Sequence, residues 1–409
     1  MIDIKNIVDV DFKIIKSETS LGSYNTVVYF VKDDLYKANG GVAEKTADAI
    51  ICTNLKEVNT ALNSDAKTLT SVSAENFFEN GGVKLVLVKP SGYTLETFTA
   101  DIDKVRTTIR KNNKANNSED NFIYVAISNV ICGYTSEEET LEDKYTKKVL
   151  LQIAKYFEEL ATPNTLRLLL TYDNNDTFSN NFSGYSVAIK YCTKKINATT
   201  IDAALLIGAY FTKINLNESE AIKDYCYTAE TLVDLAVGED ASENVTQAEY
   251  ELLIKRNYNF IDTIGNNVIN FGGNLTNGTA ITTDFATICV ENDVCGATLS
   301  AMIGKQYLSQ SGLTNLVSCI ESQLQRYKSN GFIKIDSTYS GENLYINYNN
   351  RSYAVISKGE ALPQGFKVFA VPVANISLVD KETKKFTPIY VVIESLSGAR
   401  IVEIRGEVR

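Results

Sequence analysis

The chain has 409 residues, of which 44% are hydrophobic, enough for roughly two or three domains with sizeable cores. Its formal net charge of −10 argues against a nucleic-acid partner or an anionic membrane, because both would repel it. It contains no histidine, which excludes Ser/His/Asp and Cys/His catalytic pairs and removes the commonest metal ligand. No apolar run reaches the roughly eighteen residues that cross a bilayer, and the N-terminus lacks a signal-peptide pattern, so we expect a cytosolic protein that does not insert into membranes.

Familiar catalytic and ligand-binding motifs are not recognisable in the sequence. The cysteines show no CxxC spacing that could hold a metal, and we expect them to be reduced and mostly buried. The glycine-rich stretch 272–279 lacks the lysine of a phosphate-binding loop and predicts a turn or hairpin. The sequence therefore predicts no catalytic residue, no cofactor and no metal site.

The first half of the chain alternates predicted strands and helices. Runs rich in β-branched and aromatic residues predict strands at 24–31, 83–88, 122–128 and 166–172. Apolar residues at helical spacing predict a helix from Asn54 and a long amphipathic helix over 141–160, with Tyr145 on its apolar stripe. Residues 203–211 fit either a buried helix or a buried strand. This alternation predicts an α/β fold with a mainly parallel sheet flanked by helices.

The second half predicts a helix followed by a strand-rich end. Apolar residues from Leu313 to Tyr327 recur at helical spacing, and Gly331 is the expected stop. Candidate strands then follow at 343–356, 366–373, 389–393 and 400–408.

Both ends of the sequence predict strands with alternating apolar and polar residues. The residues that would form the apolar faces of these two strands are Val8, Val10, Phe12, Ile14, Val402, Ile404 and Val408. Free termini are usually frayed polar tails, so apolar strands at both ends indicate pairing. They would either add to the sheets of neighbouring subunits or lie in the sheet of their own subunit.

Several segments, taken in order, resemble the contractile tail sheath family of phages and phage-derived bacteriocins. The sharpest is the motif FFENGG at 77–82, where a helix would end on a glycine pair before a buried strand. Softer similarities are the glycine-rich segment 266–283, the helical segment 301–332 and the C-terminal segment 388–399 with its terminal strand. The resemblance spans most of the chain, although the Trp and Arg-Thr positions that many sheaths carry are not evident.

The resemblance implies an α+β core with an inserted α/β domain, mixed sheets and terminal strand arms. Residues 1–24 with 265–409 would form the assembly core, and 25–264 an inserted outer region. The chain would be a non-enzymatic structural subunit of a virion tail, assembled in the host cytoplasm. It would polymerise in hexameric rings around an inner tail tube protein, contact the baseplate and a tail terminator, and contract to drive the tube through the host envelope.

The helix over 313–327 is the candidate element that faces the tube. The residues on its polar side are Glu321, Gln325 and, just beyond, Lys328, although any solvated helix shows a similar face. Two other functions stay open on sequence alone. One is an α/β enzyme with an unrecognised histidine-free active site, which would form a small discrete oligomer, and the other is a different virion structural protein.

Overall fold

Helices and strands alternate along most of the chain. The structure, a computed structural model, describes residues 23–39, 42–46, 49–64, 68–116, 120–139, 141–160, 165–172, 176–192, 202–230, 245–264, 267–303 and 307–395. The helices are α1 Leu55–Leu62, α2 Leu69–Glu79, α3 Leu95–Asn116, α4 Lys147–Glu159, α5 Leu205–Thr212, α6 Gln247–Lys255, α7 Ile281–Ile303, α8 Gln310–Ser329 and α9 Leu378–Glu382. The strands are β1 Ser23–Phe30, β2 Leu35–Asn39, β3 Val42–Thr46, β4 Ile50–Cys52, β5 Lys84–Val88, β6 Asp120–Ile127, β7 Cys132–Gly133, β8 Tyr145–Thr146, β9 Arg167–Tyr172, β10 Val187–Tyr191, β11 Ala229–Glu230, β12 Asn259–Ile264, β13 Asn267–Phe271, β14 Ser337–Thr338, β15 Leu344–Tyr348, β16 Arg351–Ile356, β17 Ala361–Leu362, β18 Phe366–Ala370 and β19 Ile389–Ile393.

Nine of these strands form one sheet, in the order β11-β13-β12-β10-β9-β6-β1-β5-β4. The strands from β5 to β12 in this order pair in parallel, while β4, β13 and β11 pair antiparallel at the two ends. Parallel neighbours need a crossover connection, and α3 and α4 provide two of these crossovers. The predicted α/β fold with a mainly parallel sheet flanked by helices is confirmed.

The residues of β1 show how the sheet separates two cores. Val27 and Tyr29 belong to a core shared with α1, α2, α5, α7 and α8, whereas Val28 and Phe30 belong to a core shared with α3 and α4. Successive strand residues face opposite sides, so a strand that is covered on both faces must be apolar throughout. Each such fully buried side chain stabilises the fold by roughly 1.5–3 kcal/mol.

The FFENGG motif forms the helix stop that the sequence predicts. The Gly82 amide donates to the Phe77 carbonyl at 2.9 Å, and Gly81 has a φ of 87°. Glycine is favoured there because a side chain at positive φ is strained, and the turn satisfies carbonyls at the end of α2. The chain then enters β5, and Phe77 itself is fully buried.

The predicted helix over 141–160 is shorter than expected. Tyr145 and Thr146 form β8, which pairs with β7, and α4 begins only at Lys147. Thr146 Oγ1 accepts a hydrogen bond from the Val149 amide at 3.3 Å. A side chain that accepts from one of the first free amides fixes the start of a helix. Tyr145 is nevertheless fully buried in the same core as α4, which explains why it continues the apolar stripe.

The long helix α7 is absent from the sequence prediction. Residues 288–296 within it are buried on every side, including the consecutive polar residues Glu291, Asn292 and Asp293. A helix enclosed all round shows no amphipathic period, and that period is the signal on which helix prediction depends. The ambiguous segment 203–211 contains most of a second enclosed helix, α5, which packs against β1.

Residues 333–395, here called the β unit, form short antiparallel pairs outside the large sheet. These pairs are β14 with β17, β15 with β16 and β18 with β19. Asn349 and Asn350, both at positive φ, make the turn between β15 and β16. The strand predicted at 389–393 is confirmed as β19, while the strand predicted at 400–408 lies outside the described residues.

The proposed division of the chain at residue 264 falls at the end of β12. The next strand, β13, pairs with β12 in the same large sheet, and α7 packs on that sheet through the core that contains Val27. A boundary at this point would therefore separate two neighbouring antiparallel strands. The division into an assembly core and an inserted outer region stays a prediction.

Candidate assembly surfaces

The predicted strand arms lie outside the described residues. This applies to Val8, Val10, Phe12, Ile14, Val402, Ile404 and Val408. The described residues instead show the surfaces that could receive such strands, together with the helix face expected to meet a tube.

A groove of about 530 Å³ runs along β19, between α7 and the β unit; we call it the β19 groove. Its lining includes Val290 on α7, Leu344 on β15, and Val391 with Ile393 on β19. Among the described strands, β18 and β19 pair only with each other. The outer edges of a two-stranded sheet carry N–H and C=O groups that can pair with an added strand.

The C-terminal end of β19 is anchored to the chain that leaves α8. The Lys334 amide donates to the Glu394 carbonyl at 2.8 Å, and Ile333 forms a bridge with Ser395. Ser395 also lines the β19 groove. Ser395, the last described residue, therefore lies at the groove itself.

The apolar stripe predicted for the helix over 313–327 is confirmed in α8. Its buried residues include Leu313, Leu316, Ile320, Leu324 and Tyr327, all on one side. Because this stripe packs into the main core, the opposite side of α8 faces outward.

The three candidate tube-facing residues lie on or beside that outward side. Glu321 and Gln325 are exposed, while Lys328 is half-buried. Lys328 Nζ donates to Gln364 Oε1 at 2.7 Å, and Gln325 Nε2 donates to the same oxygen at 3.4 Å. Gln364, which the sequence analysis did not identify, thus joins this face to the loop before β18.

A buried carboxyl group fixes α8 against α7. Tyr327 Oη donates to Asp293 Oδ2 at 2.8 Å, and Arg326 Nη1 lies 3.6 Å from the same oxygen. Burial raises the pKa of Asp293, and the hydrogen bond from Tyr327 and the charge of Arg326 oppose this rise. The outward face of α8 is therefore held in one orientation by contacts on its inner side.

Large apolar side chains are exposed close to the start of α8 and on α9. Ile303, Tyr307, Leu378 and Val379 are between 68% and 81% exposed. The Val373 amide donates to Gln310 Oε1 at 3.2 Å, which brings the chain leading into α9 to the first residue of α8. Sequence analysis missed these residues because isolated apolar residues outside a periodic stripe give no signal.

The side-chain carboxyl group of Asp202 lies at the C-terminal ends of β1 and β6, where it accepts hydrogen bonds. Tyr29 Oη donates to Asp202 Oδ2, the Asn129 amide donates to Asp202 Oδ1 at 2.9 Å, and the Asp202 amide donates to Ser73 Oγ at 2.9 Å. Burial raises the pKa of Asp202 to about 6, against these two hydrogen bonds to its carboxylate. Doubly wound enzymes bind their ligands at such a position, where the strand order reverses. Here the carboxyl group of Asp202 links β1 to the chain after β6, and the Asp202 backbone amide bonds to α2.

Neither a metal centre nor a membrane span is found in the described parts of the chain. Within these ranges no three His, Cys, Asp or Glu side chains are grouped so that they could hold a metal ion. No described helix is both long and apolar enough to cross a bilayer.

Comparison with known proteins gives structural matches without sequence matches. No protein-family model and no curated protein sequence matches the chain. A chain of the anti-feeding prophage baseplate, solved by cryo-EM with 6-fold symmetrisation, is similar with a TM-score of 0.65, 14% identity and coverage of 98% of both chains. The anti-feeding prophage helical sheath in its contracted state is similar with a TM-score of 0.59 and 14% identity, over 98% of this chain and 97% of that chain.

The chain has the sheath fold. A third similar chain, from the anti-feeding prophage baseplate in its contracted state, has a TM-score of 0.61 and 11% identity, with 98% coverage of both chains. Since the coverage is nearly complete, the sheath fold includes the large sheet, the α7–α8 layer and the β unit together. The resemblance first indicated by the FFENGG motif is thus confirmed at the level of the fold.

Proposed function

We propose that the chain is a structural subunit of a contractile tail sheath. It polymerises around an inner tail tube and contracts to drive the tube through a host envelope. Its partners are further copies of itself in hexameric rings, the tail tube protein, the baseplate and a tail terminator, and its final location is the virion tail. The observation that carries this proposal is the similarity to the helical sheath of the anti-feeding prophage over nearly the whole of both chains.

The polymer is held together by the terminal strands, which add to sheets of neighbouring subunits. The β19 groove is suited to receive such a strand, because it combines a strand edge with the apolar side chains of Val290, Leu344 and Val391. The apolar faces predicted for the two arms fit these walls, with every second side chain turned toward the groove. The edge supplies main-chain hydrogen bonds, and the walls select the apolar face of the strand.

One added strand would bind only weakly. Each ladder hydrogen bond contributes a net stabilisation of about 1 kcal/mol, and ordering a free arm opposes it. In a closed lattice, each subunit is joined to several neighbours at high effective concentration. Such a mesh can stay connected while subunits rotate during contraction, with the extended lattice metastable relative to the contracted one.

The β unit with α7 and α8 provides the assembly core, and the region 25–264 lies toward the outside of the sheath. This assignment is supported by the position of the β19 groove, which is built from α7, β15 and β19. The outward face of α8, with Glu321, Gln325 and Lys328, contacts the tube. The fixed orientation of α8 through Tyr327 and Asp293 supports a role as a rigid docking element.

Negative-stain electron microscopy of the purified full-length chain tests the proposed function. A sheath subunit forms rings or hollow tubes whose lumen is wide enough for an inner tail tube. A small globular particle of discrete size under all assembly conditions would contradict the proposal and favour the histidine-free α/β enzyme. Solid or narrow filaments would indicate a different virion component.

A further inference from the structure

The four most exposed of the large apolar side chains in the described ranges lie at one end of the α7–α8 layer. Ile303 ends α7, Tyr307 lies just before α8, and Leu378 with Val379 begins α9. They are 74%, 81%, 79% and 68% exposed, whereas the next, Tyr345, is 57% exposed. Single apolar residues are ordinary on a protein surface, but a group of them rimmed by polar residues indicates a contact site.

The segments that carry these residues are held close to one another. Because α7 and α8 are consecutive helices that pack together, the end of α7 lies beside the start of α8. A side-chain carbon at Gly312, in the first turn of α8, would lie 2.1 Å from the Tyr307 carbonyl oxygen and 3.2 Å from Phe386 Cζ. Gly312 therefore permits a close approach of the chain before α8 and the chain after α9. We use the name α9 patch for the surface of Ile303, Tyr307, Leu378 and Val379.

The part of the α9 patch that lies on α9 is fixed by the hairpin of β15 and β16. Tyr348 Oη donates to Asp380 Oδ2 at 2.6 Å, and Arg351 Nη1 donates to Asn375 Oδ1 at 2.6 Å. Ser377 Oγ accepts a hydrogen bond from the Asp380 amide at 3.0 Å and so caps the start of α9. An apolar surface that is already ordered loses little conformational entropy on binding, which favours a specific contact.

Basic side chains surround the apolar residues of α9. Lys381, Lys384 and Lys385 are exposed, and Glu382 is the one exposed acidic residue between positions 378 and 385. The carboxyl group of Asp380 is turned to Tyr348. The whole chain carries a formal charge of −10, so the exposed side of α9 is opposite in sign to the molecule. A partner that fits it combines apolar surface with acidic groups.

We propose that the α9 patch joins copies of this chain, by binding an acidic surface of the next subunit. This inference rests on the proposed function, because it assigns the patch to sheath self-assembly. Subunits of charge −10 repel one another, and a basic patch placed against an acidic surface supplies attraction at the contact.

The charge of the α9 patch also sets the symmetry of this contact. Two patches placed face to face would bring lysines against lysines, so the patch binds a different surface of the second copy. Contacts between unlike surfaces give each subunit two neighbours and generate rings or helices. An anionic membrane is the less favoured occupant, because it would attract the lysines and repel the rest of the chain.

Photo-cross-linking of the purified full-length chain tests the proposal. Val379 is replaced by the photoreactive residue p-benzoylphenylalanine, which the surface accommodates because Val379 is largely exposed. Illumination of a concentration series, without tail tube protein, should give a covalent dimer. Mass spectrometry of this dimer should place the link between α9 and a peptide of the second copy that contains exposed Asp or Glu residues.

Two matched double variants provide a quantitative readout. Val379→Ser with Lys384→Glu should raise the concentration needed for assembly by about tenfold or more, as expected when central residues of an interface are lost. Tyr345→Ser with Lys111→Glu changes an exposed apolar residue and an exposed lysine elsewhere, and should leave that concentration unchanged. Equal effects of the two double variants would overturn the proposal.

The cross-linking results separate this proposal from the proposed function. Tubes that form without a cross-linked dimer would overturn the α9 contact and leave the sheath function in place. A specific dimer from a chain that forms no tubes would support the contact and count against the sheath, whereas neither tubes nor dimers would overturn both. Links that appear only with added tail tube protein, or binding to phosphatidylserine vesicles in place of a dimer, would overturn the proposal in favour of those occupants.

Discussion

The large sheet and the β unit are stabilised in different ways. The sheet has nine strands, covered on both faces by helices, and each of its two cores contains fully buried residues, such as Tyr29 in one and Phe30 in the other. The β unit consists of two-stranded pairs around a core of six buried residues: Ile346, Val355, Ile356, Leu362, Val371 and Val392. Two-stranded pairs are marginal by themselves and gain stability from additional strands.

Under the proposed function, this difference indicates the part of the subunit where assembly takes place. A sheet covered on both faces leaves little surface for a partner, whereas the β19 groove combines a strand edge with apolar walls. Under the proposed function, the more complete region gives the subunit its stability, and the less complete region offers the place where strands from other subunits would add.

The largest effect on stability is expected where the sheet meets α7. Arg167 Nε and Nη2 donate to the two oxygens of Asp284 at 2.7 and 2.8 Å, and both side chains are largely buried. Asp284→Asn leaves the guanidinium charge without its partner and should lower the free energy of unfolding by about 3–5 kcal/mol. Urea denaturation measures this loss.

An exposed pair on α4 provides the control for this experiment. Lys155 Nζ lies 3.8 Å from Glu159 Oε1, and both side chains are more than half exposed. Glu159→Gln should therefore change the free energy of unfolding by less than about 1 kcal/mol. Equal losses of unfolding free energy for Glu159→Gln and Asp284→Asn would show that the buried ion pair between the sheet and α7 stabilises the fold no more than an exposed pair does.

Matched core truncations compare the two regions directly. Ile153, beneath the sheet, and Ile356, in the β unit, are 0% and 1% exposed. Ile153→Ala should destabilise the whole subunit by about 2–5 kcal/mol. Ile356→Ala should cost less in urea denaturation, because the small core relaxes around the cavity, yet it should impair tube formation more strongly. If Ile153→Ala impaired tube formation more strongly than Ile356→Ala, the assignment of stability to the sheet and of assembly to the β unit would be contradicted.

Asp202 gives the sheet region a pH dependence with an unusual sign. Burial raises its pKa to about 6, so the folded protein binds this proton more tightly than the unfolded chain does. Its contribution to stability is complete below the pKa of the unfolded chain and is lost as the pH rises through 6. The free energy of unfolding falls by roughly 3 kcal/mol, the value that corresponds to this difference in pKa between the folded and unfolded chain.

The variant Asp202→Asn removes this titratable group, so a comparison of the variant with the wild type at each pH isolates its contribution. The difference in unfolding free energy between variant and wild type should shift in favour of the variant between pH 4 and pH 7.5. Urea denaturation at both pH values measures the shift. A pH-independent difference would show that Asp202 does not titrate in this range.

Reversal of charge on the outward face of α8 should have the smallest effect on the fold. Glu321→Lys combined with Lys328→Glu should weaken co-sedimentation with tail tubes, leave sheath self-assembly intact and change stability by about 0.5 kcal/mol. Lys328 also bonds Gln364, so Gln364→Ala separates loss of that contact from loss of charge. Unchanged tube binding by the charge-reversed chain would exclude the outward face of α8 as the surface that contacts the tube.

Much of the architecture could be predicted because its signals are local. Strand runs such as β1, β9 and β19 are rich in β-branched and large apolar residues, and the glycine pair after Phe77 fixes the end of α2 through backbone geometry alone. The start of α4 could not be predicted, because Tyr145 satisfies the helical pattern without being helical. The enclosed helix α7 shows no period at all.

The candidate site was predictable only in part, for the same reason. The stripe of α8 is local, so the outward position of Glu321 and Gln325 follows from it. The β19 groove brings together segments about a hundred residues apart, such as Val290 and Val391, and no local pattern encodes that contact.

Removal of the C-terminal arm tests the central claim most directly. The cut should leave residues 1–395, because β19 ends at Ile393 and contributes the buried residues Ile389 and Val392 to the folded subunit. Electron microscopy and urea denaturation would compare this chain with the full-length protein. We predict that the truncated subunit keeps its stability but forms no tubes. Normal tubes from the truncated chain would contradict a sheath that is held together by exchanged strands.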